Sequence, residues 1–260
     1  MHRLAVTIGV VAVFSVLPAS RLWGQNADSA FGHSADDDSA YAWVVLAAGG
    51  IAATTPFWVP LVLTGDRYSE TGAFVAYPYK DGAIGNMLTA SPLSTEGVPW
   101  CFQAKTNYAE NFSGMRRIDA GFQLEGANRL GIDSELNYWR EAVTPEWTHS
   151  LWTGNANLLF RFAQCEWLQT RAGIGCNWLE DDGYNDYGFN FTYTADVFIR
   201  DPVIISGELD WGTLGDETLF HPRITLGIHC RRAELFIGCD YFNIGPTQAT
   251  SMIAGARLWF

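Results

Sequence analysis

Charged side chains are scarce in this sequence, and positive ones are scarcer. Only 17% of the 260 residues are charged, with 16 Lys and Arg against 28 Asp and Glu, where soluble domains usually carry about a quarter. The formal net charge of −12, with no basic stripe, excludes a nucleic-acid binder, which needs cationic patches to neutralise phosphates. Cysteine is sparse as well. Cys101, Cys165, Cys176, Cys230 and Cys239 form no C-x-x-C pair and lack metal-ligand spacing, so neither a structural metal nor a cofactor is expected. Most of them read as small apolar strand residues. An odd number in an exported chain leaves at least one thiol unpaired. Mean hydropathy is near zero, which excludes a bundle of transmembrane helices. No Ser-His spacing or paired-carboxylate motif is matched. His149 and His221, expected near one rim beside Glu146, Asp216 and Glu217, read as loop residues, so the chain is not expected to be an enzyme.

What is present in quantity is aromatic residues, 14% with 11 Trp, and 26 Gly. The pattern they follow is clearest in the last ten residues, Ser251-Met-Ile-Ala-Gly-Ala-Arg-Leu-Trp-Phe260. Counting back from Phe260, every second residue (Leu258, Ala256, Ala254, Met252) is apolar, while the interleaved set includes Arg257 and Ser251. A period of two makes a strand with one greasy and one mixed face. A chain that stops on an aromatic in this way resembles the closing strand of bacterial outer-membrane β-barrels. The resemblance implies that Phe260, Leu258 and Ala256 form the signature read by the barrel insertion machinery.

From Trp100 onward about ten such segments follow one another, each long enough for a tilted membrane strand. Their approximate spans are 100–110, 115–126, 130–141, 151–163, 165–178, 187–200, 203–213, 219–230, 233–243 and 250–260. In the segment 187–200, Tyr187, Phe189, Phe191, Tyr193, Ala195, Val197 and Ile199 would face outward. Asn190, Thr192, Thr194, Asp196 and Arg200 would face inward. Connections near 127–129, 164, 201–202 and 231–232 are short. Those near 111–114, 142–150, 179–186, 214–218 and 244–249 are longer, and the two kinds alternate. That is the expectation for periplasmic turns and extracellular loops, with both chain ends on the periplasmic side. Trp100, Trp178, Tyr187, Trp211, Tyr241 and Trp259 fit interfacial girdles. The fold expected is all-β, an antiparallel transmembrane barrel of about 10 strands (8–12), sited in the bacterial outer membrane among its lipids.

Upstream, Met1–Gly24 reads as an export signal, with His2 and Arg3 before an apolar run from Leu4 to Leu17. Residues 25–65 comprise a polar leader and an uncharged stretch, Tyr41–Thr64. The latter could span a bilayer by length, but Gly49-Gly50, Pro56 and Pro60 interrupt it. It is expected at the periplasmic mouth or inside the barrel, residues 66–260 forming the barrel itself. The alternative is an inner-membrane anchor holding a periplasmic β domain. The segments Phe160–Gln164, Phe189–Tyr193 and Gly207–Gly215 resemble a group of uncharacterised bacterial outer-membrane barrel proteins, over roughly Asp66 to Phe260. That resemblance implies fold and location and brings no activity.

The candidate site is the barrel interior. Alternation turns Lys105, Arg117, Asp119, Glu125, Asp133, Glu135, Arg161 and Arg171 inward, together with a network of Asp196, Glu208, Asp210, Arg223, His229, Glu234, Asp240 and Arg257. A hairpin turn at Arg231-Arg232 sets His229 opposite Glu234 and Arg223 opposite Asp240. A register with Leu209 beside Ile224 would put Asp210 on the other side of Arg223, whose guanidinium suits two carboxylates. Glu234 and Arg257 would be diagonal neighbours. Such charges fill and stiffen a narrow barrel, so a structural, surface or narrow small-solute channel role is expected. A rim hydrolase is the alternative. The loop Glu180–Asp186 carries four carboxylates without the spacing of a calcium loop, and weak binding of divalent cations is the most it suggests.

Overall fold

The computed structural model describes residues 54–66, 72–89, 97–144, 147–181 and 183–260. The chain divides into two units, Met1–Val59 and Pro60–Phe260. Of the first, only residues 54–59 are described, and they are helical. The export signal, the polar leader and most of the uncharged stretch lie outside the described residues. In the second unit helical structure continues to residue 64, and among the described residues no helix is long and apolar enough to cross a membrane.

Ten antiparallel strands then follow without interruption: β1 (Trp100–Glu110), β2 (Met115–Gly126), β3 (Leu130–Thr144), β4 (Trp147–Gln164), β5 (Leu168–Asp181), β6 (Tyr184–Arg200), β7 (Val203–Leu214), β8 (Glu217–Cys230), β9 (Ala233–Ile244) and β10 (Thr247–Trp259). Each pairs with its sequence neighbours, and β1 pairs with β10 to close the ring. Closure leaves no edge strand, so every backbone polar group of the ladder finds a partner without water.

The two faces are inverted relative to a soluble protein. On β8, Ile224, Leu226 and Ile228 are exposed while Arg223, Thr225 and His229 between them are buried. The same holds on β2, where Ile118, Phe122 and Leu124 face out and Arg117, Asp119 and Glu125 face in. An apolar belt around a polar interior is stable only where the outside is hydrocarbon, which is the arrangement of outer-membrane barrels. At one end of the belt, neighbouring strands stack outward aromatics, as with Tyr138 and Trp152, whose ring centroids are 4.8 Å apart. Trp100, Tyr187 and Trp211 are exposed as girdle residues should be. Trp259 departs from that expectation. It points inward, fully buried, and donates its Nε1 hydrogen to Glu234 at 3.0 Å.

The connections alternate in side as expected, and residues 111–114 stay outside the strands, but the other four long ones are largely paired. Pairing runs on through Ala142↔Thr148, Asp181↔Tyr184, Leu214↔Glu217 and Ile244↔Thr247. β4 and β6 thereby reach 18 and 17 residues, beyond the roughly 9–11 that a membrane strand requires. Outside the bilayer the ladder can continue without an apolar face, so alternation stops signalling it although the hydrogen bonds persist.

Residues 72–89 and 97–99 cover the opposite end of the ring, where the short turns gather. They contribute the short 3-10 turn Lys80–Gly82 and the isolated bridges Ala73↔Thr89 and Phe74↔Val98. Phe74 and Leu88 pack with Cys101, Phe198, Ile204 and Trp259 in the apolar core of the unit. The Gln164 side chain holds the backbone of Leu88 on both sides, accepting from its N–H at 3.0 Å and donating to its C=O at 2.8 Å. Gly85 sits at φ +74°, and a Cβ there would lie 2.6 Å from the Gln169 amide and 2.7 Å from the Glu166 carbonyl. Only glycine fits that approach. Asp66 accepts two bonds from the Arg129 guanidinium, at 2.6 and 2.9 Å, tying the start of this segment to the β2–β3 turn. Asp66→Ala is expected to cost about 1–3 kcal/mol, as for loss of a buried charged acceptor. Proteolysis within residues 67–99 should quicken in parallel. Unchanged proteolysis would show that the pair does not anchor the segment.

Candidate functional site

The lumen is filled by charged and amide side chains from all ten strands, arranged in three connected groups. In the first, at the end of the barrel with the short turns, Glu125 receives both Arg161, at 2.7 Å, and Arg171. Arg171 also reaches Asp196 at 2.7 Å, and Asp196 accepts from the Ser206 hydroxyl at 2.7 Å. Arg257 donates to Ser206 and lies 3.2 Å from Glu234.

In the second group, at mid-barrel, Lys105 lies 2.8 Å from both Glu135 and Glu208. Arg223 holds Glu135 through two parallel bonds of 2.7 and 2.9 Å, the bidentate geometry a guanidinium favours. It also approaches Glu208 at 3.4 Å and Asp119 at 3.8 Å. In the ring order β3 and β8 stand five strands apart, diametrically opposite. The Glu135–Arg223 bonds therefore cross the whole lumen. In the third group Arg117 bonds Asp240 and lies 3.3 Å from Asp119. His221 meets Asp240 at 3.1 Å, and Asn190 donates to Asp210 at 3.0 Å.

Seven of the eight lumen residues singled out from the sequence lie in these groups, and the eighth, His229, is buried 3.5 Å from Glu234, though the partners are not always the expected ones. His229 pairs with Glu234 and Arg223 with Asp240, as the Arg231-Arg232 turn requires. The β7–β8 register differs by two residues. Leu209 pairs with Pro222, so Glu208, and not Asp210, stands opposite Arg223, while Asp210 faces His221. The cause is the turn, which is two residues (Gly215 at φ +58°, then Asp216) where a five-residue loop was expected. A shift of two keeps every side chain on its own face, so face alternation cannot detect it. Glu234 and Arg257 are directly opposite, not diagonal. Arg200 is exposed, because the β6–β7 register shifts between Phe198 and Arg200, while Phe198 keeps to the inward face of Thr192 and Asp196 and is buried. His221 is a buried lumen residue and not a rim residue. Glu135 as the central acceptor was not foreseen. Its partner lies across the barrel, and no local pairing rule reaches that far.

Two spaces remain. One, of about 50 Å³, is lined at mid-barrel by residues that include Gln103, Lys105, Asp133, Thr194, Glu208 and Thr225. The other, of about 20 Å³, lies beside His221, Asn137 and Thr153. A water needs roughly 10–15 Å³ by this measure, so the first admits a few waters and the second about one. Among the described residues no group of three His, Cys, Asp or Glu side chains could hold a metal ion. The five cysteines are unpaired. Cys101 is buried, and Cys176, Cys230 and Cys239 are exposed.

The closed ring, the even strand number and the apolar belt define an outer-membrane β-barrel, and the chain resides in the outer membrane. No protein-family model matches the chain, and no curated protein matches it in sequence. Several solved structures resemble it. A Neisserial surface protein A matches 62% of this chain and 96% of its own, at 13% identity and TM-score 0.31. The Yersinia pestis outer-membrane protein Ail matches 62% and 99%, at 12% identity and TM-score 0.35. An outer-membrane channel from Pseudomonas putida F1 matches 66% and 100%, at 9% identity and TM-score 0.37.

Proposed function

We propose that this barrel acts as a closed structural platform whose working surface is its acidic hairpins, and not as a conduit. A structural role and a channel role both suit a barrel of this kind. The observation that favours the first is the pair of Glu135–Arg223 bonds joining diametrically opposite strands. Residues 72–89 lie across one end of the same lumen, and the mid-barrel space, about 50 Å³, is water-scale. At the other end the strands extend past the apolar belt and carry Glu180, Asp181, Asp186, Asp216 and Glu217 on the β5–β6 and β7–β8 hairpins. Those hairpins would face the cell exterior.

Planar-bilayer recording of the full-length protein tests this. The expected result is no discrete conductance above the bilayer background. Stable single-channel steps from the wild-type chain would overturn the platform reading and leave the narrow channel in its place.

A further inference from the structure

The lumen charges do not balance. Among the described residues nine carboxylates face inward (Asp119, Glu125, Asp133, Glu135, Asp196, Glu208, Asp210, Glu234 and Asp240), against the six cations Lys105, Arg117, Arg161, Arg171, Arg223 and Arg257. Eight of the nine have a cationic or histidine partner within 4.0 Å. Asp133 has none. It takes a hydrogen bond from Asn157, and its Oδ1 is buried without a partner.

Asp133 lines the mid-barrel cavity, and that cavity gathers further unanswered polar atoms. Gln103, 6% exposed, and Thr225, 4% exposed, both line it. The Gln103 Nε2, Thr225 Oγ1 and Thr194 Oγ1 atoms are buried without hydrogen-bond partners. Buried polar atoms in native proteins are nearly always satisfied, so three oxygens and the Gln103 N–H donor around one space point to an occupant that brings water with it, the water oxygen answering Gln103. The cations nearby are already engaged: Lys105 by Glu135 and Glu208, Arg223 by Glu135, and Arg257 by Glu234. The one carboxyl facing the space without a cationic partner is that of Asp133. Carboxylate and hydroxyl oxygens are hard donors, which suit a hard cation rather than a soft transition metal. With one free carboxylate and room for a few waters, the space suits a monovalent ion that keeps part of its hydration.

We propose that this cavity is a binding site for a monovalent alkali cation of the sodium class, with Asp133 as its charged ligand and the hydroxyls of Thr194 and Thr225 among its oxygen donors. The bound ion neutralises the carboxylate that the protein leaves unpaired. Its role is to complete the lumen network, since an isolated buried charge is costly.

The experiment is thermal unfolding of the purified full-length barrel in detergent at constant ionic strength. Sodium, potassium or the bulky cation N-methyl-D-glucamine is supplied as the chloride. A ligand that binds only the folded state raises its unfolding temperature. Sodium at about tenfold its dissociation constant should raise it by about 3–5 °C over N-methyl-D-glucamine for a chain of this size. Asp133→Asn should abolish the difference, and Thr225→Val, which keeps the shape and removes the hydroxyl, should demand more sodium for the same rise. Equal unfolding temperatures in sodium and N-methyl-D-glucamine would overturn the proposal, as would a sodium effect that survives Asp133→Asn. Should the Asn variant fail to fold, the ²³Na relaxation of the wild-type protein decides, since a bound ion must broaden the sodium signal and an unbound one cannot. These readouts concern stability and ion binding, so their failure is separable from a failure of the platform reading, which rests on conductance.

Discussion

Arg223→Ala should lower the unfolding temperature of the barrel by about 10 °C, corresponding to the roughly 3–5 kcal/mol lost when one partner of a buried ion pair is removed. The size of the effect follows from what Arg223 faces. Glu135 takes two bonds from it, Glu208 lies at 3.4 Å and Asp119 at 3.8 Å. Once the guanidinium is gone, Lys105 alone remains to answer Glu135 and Glu208, and it already lies 2.8 Å from both. Arg223→Lys would restore the charge but cannot hold both oxygens of Glu135 in the planar fork, so it should recover only part of the loss. The double variant Glu135→Ala/Arg223→Ala should be less unstable than the sum of the two single variants, because it removes the orphaned carboxylate along with its partner. The temperature at which heating in detergent changes gel mobility reads all three. Wild-type unfolding of Arg223→Ala would mean that the cross-lumen bonds contribute nothing to closure.

The architecture was almost fully legible in the sequence, because a membrane barrel writes its fold in a local code. Each strand must be greasy on one side and polar on the other to satisfy lipid and lumen together, so residues such as Ile224, Leu226 and Ile228 announce their strand without reference to distant partners. β1 and β2 were located to the residue. The hairpin extensions of β4 and β6 were missed because lipid no longer dictates alternation there.

The site was legible only as a list of inward residues. Hairpin geometry predicted the His229–Glu234 and Arg223–Asp240 pairings, because a tight turn fixes the register of the two strands it joins. Where turn length was misjudged, at Gly215-Asp216, the pairing moved by two and Glu208 replaced Asp210 beside Arg223. Contacts across the lumen, such as Lys105 with Glu208 or Arg117 with Asp240, depend on ring diameter and side-chain reach. Neither can be read from one strand or one hairpin. The function of residues 72–99 was also hidden, since irregular chain fits its site by shape, as Gly85 does against Gln169 and Phe198, and shape has no period.

Glu125→Ala should be as damaging as Arg223→Ala, and it should differ in kind. Glu125, 1% exposed, is the shared acceptor of Arg161 and Arg171, themselves almost wholly buried. Removing it leaves two guanidinium groups near one another with one carboxylate fewer, so repulsion adds to the roughly 3–5 kcal/mol for breaking a buried pair. Arg171 keeps Asp196 at 2.7 Å. Arg161 keeps the Asn86 carbonyl at 2.9 Å and the Gln164 Oε1 at 3.4 Å, and neither neutralises it. Freed from Glu125, Arg161 can swing away, and with it goes a bond holding residues 72–99 across the lumen. Glu125→Ala should therefore lower the unfolding temperature and also speed proteolysis within residues 72–99, whereas Arg223→Ala, one layer deeper, should do only the first. Glu125→Gln, which preserves shape and loses charge, should fall between wild type and Ala on both measures. If Glu125→Ala destabilises the barrel while leaving proteolysis at the wild-type rate, the segment is held by its apolar core of Phe74 and Leu88 and by the Gln164 bonds to Leu88, and Arg161 is a brace of the wall.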